Sequence, residues 1–225
     1  MPSSPATTAE AAAVALDGRP LGKRGAATRR RLLDATARLL ESDGVRDLRV
    51  VDIAREVGTS PATFYQYFRD VEEAVLALTA EVGEELAPVD ELLSRPWTGP
   101  AGVGAAREMV DAFIRYWDGH RAVLRTRNLA AQEGDVRFRQ VRNNSLRPIT
   151  DHLATTVTES QAEGRVSTEI SPMAAAAALV ALLERMAAFH HDLGDDRSTE
   201  TLEAIDDLNA SFLEMDRIGV PATYT

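Results

Sequence analysis

The sequence predicts an all-α protein in which an N-terminal three-helix unit is followed by a longer helical domain. Three observations support this fold class. Apolar residues recur at spacings of three and four along most of the 225 residues, which is the period of a helix with one buried face. Glycine and proline stand at the ends of these segments, where helices stop and begin. No segment shows the strict alternation of apolar and polar residues that predicts a half-buried strand.

The composition narrows the class of protein further. The chain has no cysteine, which excludes disulfides and thiolate metal sites. No apolar run approaches the ~20 residues that a membrane helix needs, and no basic segment followed by an apolar core marks a secretory signal. We therefore expect a cytoplasmic protein without a membrane partner.

The N-terminal part divides into a tail and a first folded unit. Residues 1–22 are rich in Ala, Ser, Thr and Pro, and we expect them to form a disordered basic tail. The basic segment 19–25 is either a solvated arm or an arm that follows DNA phosphates or enters a minor groove. The first helix, over residues 26–43, has an apolar stripe (Leu32, Leu33, Ala37, Leu39, Leu40) and a basic face (Arg29, Arg30, Arg31, Arg38).

Residues 51–68 predict two short helices joined by a tight turn at Gly58. Ser60 suits an N-cap because Pro61 follows it in the first turn of the second helix. Each helix has an apolar back, and the second also has a front of small or polar, uncharged side chains. The back is Val51, Ile53, Ala54, Val57, Phe64 and Phe68, and the front is Ser60, Ala62, Thr63, Tyr65, Gln66 and Tyr67.

A short helix with a buried back and a polar, nearly uncharged front suits the DNA major groove, where base edges are read by such side chains. The alternative is an ordinary helical hairpin, in which this polar front has no role. Tyr65 by itself fits either a hydrogen bond to phosphate or a ring that covers the turn.

The net charge of −10 is unevenly distributed along the chain. Residues 19–69 contain 11 Lys/Arg and 6 Asp/Glu, which gives +5, whereas residues 70–225 contain 14 Lys/Arg and 27 Asp/Glu, which gives −13. Attraction to phosphate depends on charges within about 8–10 Å in physiological salt, so a basic unit can bind DNA on an acidic protein. We expect the acidic remainder to face away from DNA.

After residue 70 the pattern predicts a long helix, which Asp70 caps with Glu73 three residues later in a near capping-box arrangement. Residues 95–100 should form a loop. Further helices are predicted near 101–118, 120–132, 135–163, 172–193 and 198–217, and Pro148 should kink or divide the helix at 135–163.

This order of parts resembles the TetR family of transcriptional regulators. The likeness covers the N-terminal unit and the start of the following helix, through Ile53, Ala54, Val57, Gly58, Thr63, Tyr65, Phe68, Glu72 and Glu73. It implies an all-helical homodimer with an N-terminal three-helix helix-turn-helix DNA-binding head over 23–69 and a C-terminal helical ligand-binding and dimerisation domain over 70–225. Most members of the family repress transcription and release DNA when a small molecule binds.

The resemblance also implies roles for single residues of the head. Thr63, Tyr65 and Tyr67 fall where family members touch bases or phosphates, and Thr28 falls where the first helix meets phosphate. The family often has a Lys at the position of Val71, and we expect Arg69 to make that phosphate contact instead. The candidate DNA contacts are Thr28, Arg49, Thr59, Ser60, Ala62, Thr63, Tyr65, Gln66, Tyr67 and Arg69.

Most aromatic and sulfur-containing residues of the C-terminal domain fall into three helical segments. This is typical of a hydrophobic core and equally of a cavity for a lipophilic ligand, and the resemblance requires a ligand site in this domain. The candidate ligand-binding residues are Phe113, Tyr116, Trp117, Leu124, Asn128, Phe138, Met186, Phe189 and His190.

The predicted helices 172–193 and 198–217 carry apolar stripes, and the first contains five consecutive alanines that allow close helix approach. Both fit either internal core formation or a dimer surface, and the resemblance favours a four-helix interface built from two such helices per subunit. A two-fold dimer predicts a palindromic operator with half-sites spaced by about one helical turn, ~10 base pairs, or a multiple.

No metal, cofactor or catalytic site is predicted. His190 and His191 are adjacent, so on a helix they point about 100° apart and should not converge on one ion, and His120 and His152 are remote in sequence. The chain has no nucleophile elbow, phosphate-cradling glycine loop or paired-carboxylate signature, so we do not expect an enzyme.

These observations predict a ligand-responsive DNA-binding transcriptional regulator. In this hypothesis it is a repressor that a small lipophilic effector releases from a palindromic, double-stranded operator. The alternative is a ligand-binding or scaffold protein with a weak or vestigial helix-turn-helix, which the acidic bulk of the chain and Val71 favour.

Overall fold

The computed structural model of the protein describes residues 19–43, 47–94 and 99–193. Within these ranges the chain forms helices and no β-strand, which confirms the all-α fold class. A 3-10 turn over His190–Leu193 follows the last helix. The helices are α1 (Lys23–Asp43), α2 (Val50–Val57), α3 (Pro61–Phe64), α4 (Val71–Glu84), α5 (Ala87–Leu93), α6 (Gly99–Gly119), α7 (Arg121–Gln132), α8 (Val136–Ala162) and α9 (Pro172–Phe189).

The chain divides into two compact units, residues 1–78 and 79–225. In the first unit α1 contacts α2, and α2 contacts α3. Of the predicted tail only residues 19–22 are described, and the loop at 95–98 and the helix at 198–217 lie outside the described residues. The core of the first unit consists of apolar side chains, among them Leu32, Leu33, Ile53, Ala54, Val57, Phe64, Phe68 and Val75.

In the second unit α8 contacts α5, α7 and α9, and α6 contacts α5, α7 and α9. The interior is aromatic and aliphatic, with Phe113, Trp117, Leu124 and Ile149 fully buried. Charged groups also lie inside it, because Glu184 of α9 is bound by Arg127 of α7 and Arg142 of α8. This ion-paired group connects three helices of the unit.

The long helix expected after residue 70 is divided into α4 and α5. Pro88 is the second residue of α5 and explains the break. Proline has no amide hydrogen, and its ring clashes with the carbonyl four residues earlier, which here belongs to Glu84 at the end of α4. Proline is tolerated in the first turn of a new helix, so the chain restarts there.

Two further details differ from expectation. Pro148 does not divide α8, which continues on both sides of it. The carbonyl of Asn144 loses its helical donor, but α8 is held by three neighbouring helices. Val51, expected in the apolar back of the first short helix, is 47% exposed, because it lies about 200° around the helix from Ile53.

Gly83 of α4 marks a close approach to α8. A Cβ atom at this position would overlap Ser145 Oγ and stand 3.1 Å from Ser145 Cβ. A side chain at this position would therefore force the Ser145 hydroxyl to rotate and α8 to shift slightly away from α4.

We expect Gly83→Ala to lower the free energy of unfolding by about 1–3 kcal/mol, as overfilled helix contacts do. Urea denaturation of the single variants and of Gly83→Ala with Ser145→Gly measures this. Removing the Ser145 side chain relieves the overlap. The double variant should therefore lose less free energy of unfolding than the sum of the losses in the two single variants. Strict additivity would contradict the close contact.

Candidate functional site

The turn between α2 and α3 depends on Gly58. Gly58 has φ +70°, in the left-handed region that favours glycine. Its amide donates to the Arg55 carbonyl at 3.0 Å, and the Thr59 amide donates to the Ala54 carbonyl at 2.8 Å. These bonds end α2 and reverse the chain within two residues, as the sequence predicted for the turn.

Ser60 caps α3. Its Oγ accepts a hydrogen bond from the Thr63 amide at 3.2 Å and lies 3.1 Å from the Thr63 hydroxyl. Pro61 occupies the first turn, so the cap predicted from the sequence is confirmed. After α3 ends at Phe64, the chain continues in turns, and the Phe68 amide donates to the Phe64 carbonyl at 3.1 Å.

The back of this segment is fixed against the rest of the first unit. Phe64 and Phe68 are buried, with ring centroids 5.4 Å apart, and the Arg29 guanidinium of α1 lies 5.3 Å from the Phe68 ring. Arg31 of α1 donates to the Val57 carbonyl at 2.5 Å. α1 therefore contacts both the end of α2 and the turns that follow α3 (residues 65–68), which together with α3 we call the α3 segment.

The predicted DNA contacts differ in their exposure. Tyr65 is 51% exposed, and its ring stands edge-on to the buried Phe64 ring. The Thr28 hydroxyl donates to the Arg24 carbonyl of its own helix at 3.0 Å, which leaves its oxygen available as an acceptor. Of the other candidates, Arg49, Ser60, Ala62, Gln66 and Arg69 are exposed, whereas Thr28, Thr59, Thr63 and Tyr67 are half-buried.

Arg69, the expected substitute for a Lys at Val71, is ion-paired. Its guanidinium contacts both carboxylate oxygens of Glu73, with Nε 3.1 Å from Oε2 and Nη2 3.3 Å from Oε1. Glu73 also accepts the Arg69 amide at 2.6 Å, and Asp70 accepts the Glu73 amide at 2.8 Å. The Arg69 side chain is still 67% exposed, so a phosphate would compete with Glu73 for it.

The predicted ligand-binding residues fall into two groups. Asn128 and Met186 are half-buried, and Phe189 is 38% exposed, with the Arg185 guanidinium 3.9 Å from its ring centroid. Phe189 therefore lies at the surface of the described part of the second unit. The other six are buried: Phe113, Tyr116, Trp117, Leu124, Phe138 and His190.

A buried polar cluster that the sequence did not reveal lies beside Tyr116. Arg127, only 1% exposed, donates to Glu184 at 3.0 Å and to Asn128 at 3.0 Å, and Arg142 donates to the second oxygen of Glu184. We name Tyr116, Arg127, Arg142 and Glu184 the arginine cluster. Its members come from α6, α7, α8 and α9, so no local pattern could have indicated it.

Burial dominates the electrostatics of the arginine cluster. It raises the pKa of Tyr116 to about 12, an effect that the nearby Arg127 charge partly offsets. Burial likewise lowers the pKa of Arg127, against the opposing influence of Glu184. Among the described residues, three buried polar atoms lack a hydrogen-bond partner of acceptable geometry, and two of them belong here: the Tyr116 hydroxyl and Arg127 Nη1. Such atoms are rare in folded proteins.

A groove of about 400 Å³ lies elsewhere in the second unit, between the end of α4, α5 and α8. None of the nine predicted ligand-binding residues lines it. Small residues and Pro148 shape it, and the sequence signal for it was the cluster of Ala80, Gly83 and Ala87 at the junction of α4 and α5. Its lining residues are Ala80, Gly83, Glu84, Leu86, Ala87, Asp90, Val141, Asn144, Ser145, Pro148 and Ile149.

The histidines at the end of α9 also differ from expectation. His190 Nε2 lies 3.3 Å from Asp118 Oδ1, and His191 Nε2 lies 2.8 Å from the same oxygen. The two rings are 3.9 Å apart. The expected divergence of about 100° applies to the Cα–Cβ bonds. Two side-chain torsions lie beyond each bond, and here they turn both imidazole rings toward the Asp118 carboxylate.

A basic helix-turn-helix unit followed in the sequence by a second helical unit is typical of a DNA-binding regulator. Residues 32–78 match the profile described as bacterial regulatory proteins, tetR family, and residues 89–215 match the tetracyclin repressor-like C-terminal domain. The chain belongs to the TetR family of transcriptional regulators. No match was found among curated protein sequences.

Solved structures of regulators share this fold. The fatty acid degradation regulator FadR of Bacillus halodurans superposes with a TM-score of 0.63 at 16% identity, over 81% of this chain and 94% of its own. FadR of Bacillus subtilis, in complex with stearoyl-CoA, gives 0.58 at 20% identity, over 85% and 98%. FadR of Thermus thermophilus, a TetR family repressor in complex with lauroyl-CoA, gives 0.55 at 18% identity, over 88% and 100%. At these identities the likeness establishes the fold.

We expect Arg69→Gln to weaken DNA binding uniformly across sequences and to reduce the slope of log K against log salt by about 0.9, the value for one phosphate contact. Fluorescence anisotropy at several salt concentrations measures the slope. Arg165→Gln is the matched control, because Arg165 is likewise paired with a nearby glutamate, Glu163, but lies in the second unit. An unchanged slope for Arg69→Gln would show that Glu73 keeps the guanidinium away from DNA.

Proposed function

We propose that the protein is a ligand-responsive repressor that binds a palindromic operator as a homodimer and leaves it when a small lipophilic effector binds. The outer face of the α3 segment carries this proposal. It presents uncharged hydrogen-bonding side chains on a support held by Arg29 and Arg31, and such side chains read base edges in the major groove. Because operators lie on the chromosome, we place the protein in the cytoplasm.

The homodimer is supported by apolar side chains of α9 that are exposed in the described part of the second unit. Met173 is 51% exposed and Leu182 is 41% exposed. By length and composition alone α9 could cross a membrane, with mean hydropathy 1.5 over 18 residues of which 28% are buried. However, Glu184 in the same helix is clamped by two arginines, so one face of α9 belongs to the helical unit. A second copy of α9 suits the other face, and we propose the undescribed segment 198–217 as the second interface helix.

The proposal of a lipophilic effector is supported by residues of this protein and by the ligands of its structural neighbours. Two FadR structures contain lauroyl-CoA and stearoyl-CoA, which join an apolar chain to polar, acidic groups. The predicted aromatic residues would contact the acyl chain. The Tyr116 hydroxyl and the Arg127 guanidinium, which lie beside each other without a well-aligned hydrogen bond, would bind its polar group. We therefore propose an acyl compound with a polar or acidic head. The effector would favour a dimer whose heads are wrongly spaced for the operator, and DNA should weaken effector binding by the same factor.

The decisive experiment begins with selection of binding sites from random duplex DNA by the purified full chain at low salt. We expect a two-fold symmetric site with half-sites about 10 base pairs apart or a multiple. Tyr65→Ala should weaken binding to it, and the conservative control Tyr65→Phe separates loss of the hydroxyl from loss of the ring. Failure to select any sequence would support the alternative, a ligand-binding or scaffold protein with a vestigial head, which the Arg69–Glu73 pair also favours.

The effector is tested on the selected site. Lauroyl-CoA should release the protein from DNA, whereas coenzyme A without an acyl chain should not. Tyr116→Phe should weaken the response while leaving operator affinity unchanged, and Asn144→Ala, in the groove between α4 and α8, serves as the comparison. A response that only Asn144→Ala weakens would move the effector to that groove; no response to lauroyl-CoA or stearoyl-CoA would reject the acyl class and leave the DNA-binding proposal standing.

The dimer proposal predicts that Leu182→Glu yields monomers in sedimentation equilibrium and lowers operator affinity by at least tenfold, because each monomer holds one half-site. A glutamate in the centre of an apolar interface must be desolvated without a partner. Leu129→Glu is the matched control, since Leu129 is 42% exposed on α7 and outside the proposed interface. Dimers of unchanged stability in Leu182→Glu would contradict the α9 interface.

A further inference from the structure

The end of α9 and the end of α6 bring together three side chains, of which only His190 was a candidate for the effector site. Asp118 is the penultimate residue of α6, and His190 and His191 form the start of the 3-10 turn after α9. One ligand atom from each of the three lies within 4.8 Å of the other two. In the part of the chain that the structure describes, no other such group of His, Asp and Glu was found.

The two separations between a histidine and Asp118 are close to those of ligands around one small cation. Two ligands at roughly 2.0–2.1 Å from a tetrahedral zinc ion stand about 3.3 Å from each other. His190 Nε2 and Asp118 Oδ1 are 3.3 Å apart, and His191 Nε2 and Asp118 Oδ1 are 2.8 Å apart. A small rotation of the exposed His191 ring would open the second separation to the ideal value.

The hydrogen bonding of His190 favours a ligating role. Its Nδ1 lies 2.9 Å from the Ala187 carbonyl, and a carbonyl can only accept, so Nδ1 carries the proton. In the neutral ring Nε2 is then a bare lone pair that faces the Asp118 carboxylate, an arrangement that a cation between the two atoms makes favourable. Metal-binding histidines commonly donate their second ring N–H to a backbone carbonyl in this way.

The position of the cluster permits entry and coordination. The His190 side chain is 5% exposed and forms the inner wall, whereas His191 and Asp118 are 54% and 38% exposed and leave an outer side open. Water or another ligand can therefore take a fourth position. Two imidazoles and one carboxylate suit zinc and neighbouring divalent transition metals better than calcium or magnesium, which prefer oxygen ligands.

We propose that Asp118, His190 and His191 bind a divalent transition-metal ion of the zinc type and so join the end of α9 to the end of α6. This site is separate from the DNA-binding face and from the arginine cluster, and it does not depend on the regulator proposal. Because both attachment points are helix ends, the bound ion would hold the residues after α9 to the body of the second unit.

The test uses the full chain without an affinity tag, after treatment with a chelator and dialysis. Isothermal titration with ZnCl₂ should show saturable binding of one ion per chain, and Zn²⁺ should raise the melting temperature. Titration with Co²⁺ gives a visible absorption spectrum that reports the geometry of the ligands. His191→Ala and Asp118→Asn, both at exposed positions, should each reduce Zn²⁺ affinity by more than the roughly 10–100-fold that loss of an outer partner causes.

His152→Ala is the matched control. His152 Nδ1 lies 3.2 Å from Asp90 Oδ1, so it forms the same kind of imidazole–carboxylate pair without a second histidine, and its replacement should leave Zn²⁺ binding unchanged. Circular dichroism verifies that each variant is folded. The proposal is overturned if the wild-type chain shows no saturable binding at micromolar Zn²⁺, or if His191→Ala or Asp118→Asn binds as tightly as the control; the first result would leave the cluster as an ion-pair network only.

Discussion

The second unit depends on the pairing of Glu184 with two arginines. A carboxylate in the interior costs several kcal/mol to desolvate, and loss of one partner of such a pair typically costs about 3–5 kcal/mol. Arg127 approaches from α7 and Arg142 from α8, so α9 has to turn its Glu184 face toward both helices. The rotation of α9 about its own axis is fixed by this requirement.

That rotation decides which apolar residues of α9 remain outside. Val180, Leu183 and Ala187 are buried beside Glu184, whereas Met173 and Leu182 are exposed. An almost wholly apolar helix is thereby divided into a face buried in the unit and a face that the described residues leave exposed, which is the face proposed for the dimer. The arginine cluster thus orients α9 for the proposed dimer, and two of its members, Tyr116 and Arg127, are the proposed polar contacts of the effector.

The turn and the short helix α3 of the DNA-binding head are determined by interactions between residues that are close in sequence. Gly58 supplies the left-handed backbone conformation, Ser60 caps the Thr63 amide, and Pro61 fits the first turn of α3. Each of these interactions spans four residues or fewer, so the residues that make them can be recognised in the sequence. Tertiary contacts then fix the head as a whole, because Arg31 reaches the Val57 carbonyl from α1. Glu73, four residues from Arg69, is ion-paired with it and would compete with a phosphate in the proposed DNA contact.

The sequence by itself determined the helical class, the turn, the α3 cap and most helix bounds, because these depend on periodicity and on contacts between near neighbours. The break before Pro88 was not predicted, although proline acts locally. Apolar residues at helical spacing continue from Val71 to Leu86, and they indicated one uninterrupted helix. Only the tertiary structure decided where polar side chains meet: Arg127 with Glu184, and Asp118 with His190 and His191. These hydrogen-bonded partners are 57 to 73 residues apart in the sequence. No periodic pattern encodes such distances, because they follow from how α6, α7, α8 and α9 are arranged around a shared core.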